Sequence, residues 1–377
     1  MSLWLGVALH AQPVAQGAAP ASAPGSVVTL APLWMSERHA GADLDSPAVW
    51  RAPSGQVWVI ATAKLGNVLY VIDGVTGRSI RTVGSAGVKP GQFGRPNGVA
   101  VWGDILLVVE RDNQRVQAFQ LPGFKPLGFI GDAELVKPYG LAVIPRDANS
   151  AEMYITENAD LSPYPEEHAR VLRRRVKKFT ITRTAGSVKG QLTLAFGDTA
   201  GGGMLRKVES IAADASAARL VIADEGVGDL NVYTLDGKFE SDFGKKRFRG
   251  DAEGIVLYEC GATAGYWIAT DQHARRNRFH LFERASRKYL ATFALAGVTT
   301  TDGIALLPGR VGPMHGAFYA LNDDVNVAAV SFGAVLAALN LPDPCPVPDA
   351  APAAKGAKAA RPGVNKLPAT ATPARKP

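Results

Sequence analysis

The feature that most restricts the fold is a repeat of short strands between residue 27 and about residue 340. β-Branched and aromatic runs alternate there with turns rich in Gly, Asp and Asn, as in short strands joined by tight turns. The runs group into similar units that begin about 40 to 70 residues apart, and the longest interval holds an insert near 160–175. Units of four strands at this spacing predict a β-propeller.

The number of units predicts an all-β fold, a six-bladed β-propeller of four-stranded antiparallel blades. The sixth unit lacks a strand, and the N-terminal run VVTLAPLWM (27–35) can supply it and close the ring. No helical periodicity of useful length occurs before AVLAALN (334–340). We therefore expect one closed ring rather than a mixed α/β domain.

Both ends of the chain differ from this body. We expect 1–26 to be a signal-like leader and linker, 27–340 the propeller domain, and 341–377 a disordered tail rich in Pro, Ala and Lys. The leader lacks a basic n-region and is too short to span a membrane, yet it favours export to a periplasmic or secreted location. The net charge of +7 is concentrated in the tail, so we expect no nucleic-acid partner and a monomer.

The chain has two cysteines, Cys260 and Cys345. In an exported protein they could pair and attach the C-terminal segment to the body, or they could remain as two separate thiols. Neither has the spacing of a metal ligand.

Acidic residues recur just before the first strand of several units. Because the first strand of a blade lies nearest the axis, their carboxylates would meet at one mouth of the channel. Two carboxylates about 4 Å apart repel by about 4 kcal/mol at an effective dielectric of 20, so such a group needs a cation, and oxygen ligands favour Ca²⁺. The alternative is that Asp-Gly and Glu-Gly recur because every blade needs turns. The acids concerned are Asp45, Glu209, Asp251, Glu253 and Asp302.

Six segments resemble the β-propeller phytases, which are calcium-dependent phosphatases acting on myo-inositol hexakisphosphate. They occur in order over about 43–330. The segments are DLDSPAVW (43–50), VIATAKLGNVLYVID (59–73), VESIAADASAARLVIADEG (208–226), DAEGIVLY (251–258), GYWIATDQ with NRFHLFER (265–284) and TDGIAL (301–306). The resemblance implies a phosphomonoester hydrolase that binds several Ca²⁺ ions, with a small polyanionic phosphoester as substrate and a metal-activated water as nucleophile.

Site residues follow from matching positions in those motifs. The metal ligands implied are Asp45, Glu209, Glu225, Asp251, Glu253, Asp302 and Asp323. The catalytic residues implied are Glu209, Asp251, Lys64 and Arg111. Substrate phosphate would be bound by Lys64, Arg111 and Tyr139, with Arg275 as a compensating cation.

The match departs from the family at several charged positions. Ser46 replaces an acid, Leu65 and Asn158 replace lysines, and Ala305 replaces an acid. Losing one charge-assisted contact costs about 1.5–3 kcal/mol, so together these changes could abolish turnover or direct the site to another phosphoester.

Two other functions remain open. VGSAGVKPGQFGRPNGVAV (83–101) looks like the NHL repeat of binding propellers, which would suit a non-catalytic exported protein that binds through its loops. A calcium-dependent lactonase of similar architecture would share the metal but use a substrate pocket instead of a basic rim.

Overall fold

In the computed structural model, which describes residues 27–161 and 164–345, the β-branched runs form six sheets that serve as blades. Two short strands come first, β1 (Val28–Leu30) and β2 (Trp34–Met35). The first blade contains β3 (Leu44–Arg51), β4 (Val57–Ala63), β5 (Val68–Asp73) and β6 (Ser79–Val83). The second contains β7 (Pro96–Trp102), β8 (Ile105–Glu110), β9 (Arg115–Gln120) and β10 (Lys125–Ile130). The third contains β11 (Pro138–Pro145), β12 (Ser150–Glu157), β13 (Val176–Thr184) and β14 (Ser187–Phe196).

The remaining blades repeat the same antiparallel order. The fourth contains β15 (Val208–Asp214), β16 (Arg219–Asp224), β17 (Asp229–Thr234) and β18 (Phe239–Phe243). The fifth contains β19 (Asp251–Cys260), β20 (Ala264–Gln272), β21 (Arg278–Glu283) and β22 (Tyr289–Leu295). The sixth contains β23 (Ile304–Val311), β24 (Met314–Asn322) and β25 (Asn326–Ser331). The predicted six-bladed propeller is confirmed.

The N-terminal run closes the ring as predicted. Strand β2 pairs antiparallel with β25 and becomes the outer strand of the sixth blade, with Trp34 opposite Ala329. Strand β1 pairs parallel with β22 and adds a fifth strand to the preceding blade, with Val28 opposite Phe293. One short segment thus joins the last two blades.

The hydrophobic core lies between blades rather than within them. Each of six buried clusters draws side chains from two neighbouring blades. Between the second and third blades, for example, Leu107 and Val109 pack with Met153, Ile155 and Phe179, all at most 1% exposed. Burial of apolar surface stabilises by about 25 cal/mol per Å², so each blade is held mainly by its neighbours.

The inner strands approach one another closely near the axis. A Cβ on Gly140 would lie 2.1 Å from the carbonyl oxygen of Glu209 in the next blade, and one on Gly98 would lie 2.4 Å from that of Tyr139. A Cβ on Gly254 would lie 2.6 Å from the oxygen of Asp302. These glycines therefore set the spacing of the innermost strands.

Helical structure is confined to two places in the described residues. The insert in the third blade contains a 3₁₀ turn (Pro165–Glu167) and the short helix α1 (His168–Leu172), and α2 (Phe332–Ala338) follows the last strand. None of these helices is long and apolar enough to cross a bilayer.

The two cysteines are paired, with Cα atoms 5.5 Å apart. The segment 341–345 lies against the fifth blade, where Tyr258 donates a hydrogen bond to Asp343 at 3.0 Å and Tyr266 donates one to the carbonyl of Pro342 at 2.7 Å. The expected leader 1–26 and the rest of the expected tail, 346–377, lie outside the described residues.

Replacing Gly140 with Ala should lower the free energy of unfolding by about 1–3 kcal/mol, because the new methyl group overlaps a carbonyl of the next blade. Gly123→Ala is the matched control, since a Cβ there meets no atom within 4 Å. Urea denaturation followed by circular dichroism measures the free energy of unfolding of both variants. Equal midpoints for the two variants would show that the inner strands can separate freely.

Replacing Cys345 with Ser should lower the free energy of unfolding by about 2–5 kcal/mol, because the disulfide closes a loop with a sequence separation of 85 residues. Urea denaturation under non-reducing conditions gives the value, and wild-type protein in reducing buffer should match the variant. If the variant and the oxidised wild type unfold at the same urea concentration, the bridge does not restrain the chain.

Candidate metal centre

A ring of six side chains, one from each blade, occupies the mouth of the channel where the first strands begin. In the first five blades the ring residue falls within a register shift between the first two strands, a β-bulge that turns the side chain out of the sheet. In every blade Gly or Ser follows it, which leaves room near the axis. The ring consists of Asp45, Asn97, Tyr139, Glu209, Glu253 and Asp302.

Asp45 is the most connected member of the ring and is 1% exposed. Its Oδ1 accepts hydrogen bonds from the Tyr139 hydroxyl at 2.8 Å and from Asn97 Nδ2 at 3.3 Å, and Ser46 Oγ donates to Oδ2 at 2.9 Å. Burial and the charge of Asp45 raise the pKa of Tyr139 well above its usual value, so the phenol stays a donor. These contacts join three blades across the mouth.

One half of the mouth already contains a cation. Lys64 Nζ lies 3.2 Å from Asp43 Oδ1, 3.1 Å from Asp45 Oδ1 and 3.0 Å from Asp302 Oδ2. Burial opposes its charge, but the carboxylates of Asp45, Asp302 and Asp43 outweigh burial and raise the pKa of Lys64. The buried ammonium therefore offsets part of the negative charge of these acids.

The other half of the mouth is a cluster of three glutamates, Glu209, Glu225 and Glu253. One carboxylate oxygen from each lies within 4.8 Å of the others. Asn158 Nδ2 donates to Glu209 Oε1 at 2.7 Å, and Lys207, whose side chain is 55% exposed, pairs with Glu225 from the rim. Three buried or half-buried carboxylates thus share one peripheral ammonium.

The pKa values of this cluster reflect its uncompensated charge. Burial and then the charges of Glu225 and Asp45 raise the pKa of Glu209 to about 8. Burial, Glu209 and Glu225 raise the pKa of Glu253 well above its usual value. Burial also raises the pKa of Glu225, although Lys207 opposes the change. In the opposite half, burial raises the pKa of Asp302 to about 6 in spite of Lys64.

The donor set suits a hard divalent cation. Every ligand atom that the cluster offers to a metal is a carboxylate oxygen. Glu225 Oε1 has no hydrogen-bond partner among the described residues. A cavity of about 20 Å³, enough for one water or ion, lies at the ring. Its walls come from Asp45, Ser46, Tyr139, Gly140, Glu209, Ser210, Glu253 and Asp302.

Besides Lys64 and Glu225, which border the ring, four predicted site residues lie outside it. Asp251 is exposed at the start of β19, two residues before the ring position, and its charge contributes to the raised pKa of Glu225. Asp323 is exposed and pairs with Arg38 at 3.2 Å. Arg111 pairs with the adjacent Asp112 at 2.8 Å, and Arg275 is exposed in the loop after β20. Of these four residues, Asp251 interacts with the centre through Glu225, and the contacts of the other three do not involve the centre.

Another set of acids has a structural role. At the end of the second strand, Asp224 accepts backbone hydrogen bonds from Arg206 and Lys207, and Asp271 accepts them from Arg249 and Gly250. These carboxylates satisfy the loop that enters the first strand. Glu110 and Glu157 occupy the corresponding place in the second and third blades.

Sequence reasoning missed several members of the site. Asn97 in PNGVAV occupies the same position as Tyr139 in PYGLAV, so alignment of the blades would have found it. Gln272 donates to Asp302, and burial and the charge of Asp302 raise the pKa of Asp324 to about 7. Asp43 has a positive φ of 57° and opens the segment DLDSPAVW, in which a role was implied for Asp45 alone.

Comparison with known proteins gives one family match and one similar solved structure. The NHL repeat matches residues 93–119, which cover β7, β8 and most of β9 in the second blade. No curated protein matches the sequence. Among solved structures, the chain is similar to Kuenenia stuttgartiensis hydrazine synthase, with a TM-score of 0.48 and 10% identity over 76% of this chain and 83% of that chain. The chain is a six-bladed β-propeller whose second blade carries an NHL repeat.

Proposed function

We propose that the chain is a Ca²⁺-dependent hydrolase of phosphomonoesters, with phytase-like chemistry at the acidic mouth. The observation that carries the proposal is the cluster of Glu209, Glu225 and Glu253. Their carboxylate oxygens converge, and one peripheral lysine is present to balance their negative charge. These three side chains would hold the ion. When bound, Ca²⁺ would supply positive charge for phosphoryl oxygens and for the water nucleophile.

The rim supports an anionic substrate on one side of the mouth. Two residues before the ring position, the second, third and fourth blades carry Arg95, Lys137 and Lys207, whereas the first and fifth carry Asp43 and Asp251. Lys137 pairs with Asp160 and Lys207 with Glu225, but these lysine side chains are 42% and 55% exposed. The basic side would therefore still orient a phosphate group, with its ester toward the glutamates. Arg111 and Arg275 would add charge to the approach of a polyanion.

The remaining residues would have distinct roles. In hydrolysis, water gives its oxygen to phosphorus, the P–O ester bond breaks, and a proton reaches the leaving alcohol. Asp251, exposed beside Glu225, would accept the proton of the attacking water. Lys64 would position Asp45 and Asp302 rather than contact phosphate, because its ammonium is already engaged by three carboxylates.

A second candidate function is binding without catalysis, and the NHL repeat in the second blade favours it. The loops of the mouth would then contact a protein or polysaccharide, and a bound ion would serve stability. For either function the disulfide favours an oxidising compartment, so we propose a periplasmic or secreted location.

Activity under calcium titration distinguishes the candidates. We expect phosphate release from phytate or p-nitrophenyl phosphate that rises with Ca²⁺ and stops in EDTA, because the glutamates alone would repel the substrate. A phosphate assay measures the release, and a set of lactones is tested in parallel. Hydrolysis of lactones alone would identify a lactonase, and a calcium-dependent rise in melting temperature without turnover would favour the binding function.

Replacing Glu253 with Gln should weaken the Ca²⁺ affinity by about 10- to 100-fold, since a charge-assisted contact contributes about 1.5–3 kcal/mol. The calcium-dependent shift of the melting temperature and the rate of phosphate release should both fall. Glu283→Gln is the matched control, because that exposed acid lies at the far end of β21. Retention of the full thermal shift in Glu253→Gln would remove this residue from the metal centre.

A further inference from the structure

A second pocket lies between the fourth and fifth blades, on the face opposite the acidic mouth. Its volume is about 260 Å³. Asp214 lines it at the end of β15, five residues after Glu209, so the pocket lies roughly 15–20 Å from the ring along the strand. It is therefore separate from the candidate metal centre.

The wall of the pocket combines apolar side chains with three arginines. Val221, Val232 and Trp267 form the inner wall, and more apolar than polar surface faces the space. The arginines are Arg219, Arg284 and Arg287. Asp214 is the acidic residue among the lining residues. This composition suits an anionic group attached to an apolar body.

Two of the arginines are already engaged by acids. Arg284 is 4% exposed and makes two hydrogen bonds to Asp214, at 2.7 and 2.6 Å, with a third to Glu259 at 2.8 Å. Arg219 pairs with Glu240 and donates to the carbonyl of Ala217 at 2.9 Å. These two side chains build the wall and leave little charge for a ligand.

Arg287 is the remaining cation. Its Nη1 donates across the blade interface to Ser241 Oγ at 3.0 Å, and within the described residues it forms no ion pair with a carboxylate. The guanidinium is thus held at the pocket with donors left for a planar anion. A carboxylate can accept two parallel hydrogen bonds from such a fork.

The backbone at Arg287 adopts a conformation that favours glycine. Its φ is 61°, a conformation that glycine adopts easily and other residues rarely. In the corresponding turn of the first blade, Gly77 has φ 74°, and both residues donate their N–H to the residue four positions earlier. Glycine at position 287 would therefore suit this turn as it does in the first blade.

We propose that this pocket binds a small apolar monocarboxylate, with its carboxylate on Arg287 and its body against Val232 and Trp267. The site would bind such an acid whether or not the mouth holds a metal, so the proposal does not depend on the function assigned to the mouth.

Calorimetric titration of the full chain with benzoate, in the presence of EDTA, tests the proposal. Benzoate should bind at millimolar concentration or below, and benzamide, its neutral counterpart, should bind at least about tenfold more weakly. Absence of benzoate binding at millimolar concentration would overturn the proposal, as would binding of inorganic phosphate without binding of benzoate.

Two variants assign the binding to the pocket. Arg287→Gly should weaken benzoate binding by at least about tenfold without lowering the melting temperature, because glycine suits the φ of this position. Lys288→Gln removes the same charge from the neighbouring exposed residue and should leave affinity unchanged. Unchanged affinity in Arg287→Gly, or equal losses in both variants, would contradict the assignment.

Discussion

The close approach of the first strands at the axis is the constraint on which the site depends. At Gly140 the backbone of one blade nearly touches the carbonyl of Glu209 in the next, so a side chain would not fit at this residue. The bulge just before it turns the preceding residue toward the channel. Because the blades repeat this geometry, whichever residue precedes the Gly or Ser is placed in the ring. The fold thus fixes six positions, and the residue type at each position determines its chemistry.

The charges in those positions are balanced unequally. Lys64 lies among Asp43, Asp45 and Asp302 and offsets part of their charge from within the mouth. Glu209 and Glu253 have no comparable partner, and burial makes their repulsion stronger than it would be in water. Without a cation, protonation would relieve that repulsion. A divalent ion of the kind proposed above would relieve it and keep the carboxylates ionised, so this cluster is the part of the mouth best suited to a cation.

Much of this arrangement could be predicted from residue type and position. Acids followed by Gly before an apolar run, as at Glu253 and Asp302, indicated the start of an inner strand and therefore the mouth. The sequence could not separate such acids from those with structural roles, because Asp224 and Glu225 are adjacent. Strand pairing directs Asp224 to the backbone of the entering loop and Glu225 toward the other glutamates.

Lys64 illustrates the same limit of sequence-based prediction for a basic residue. Its match to a lysine of the phytase motif implied a phosphate-binding role, but sequence alone gave no means to tell a lysine that binds phosphate from one enclosed by carboxylates. The answer depends on Asp302, which reaches Lys64 from the sixth blade, and on Asp43, a loop residue with positive φ in the same blade as Lys64. The contact with Asp302 forms only when the ring closes, so no local motif predicts it.

Ring closure also explains how one strand can serve two distant sites. The first strand of the fourth blade begins with Glu209 at the acidic mouth and ends with Asp214, which pairs with Arg284 of the fifth blade. Substitutions at one end leave the other largely undisturbed, because the intervening residues are held by cores between blades. A propeller can therefore keep a divalent-cation centre on one face while the opposite face acquires a separate pocket. The NHL repeat covers part of a single blade. It indicates the scaffold common to both faces and does not indicate the chemistry of either face.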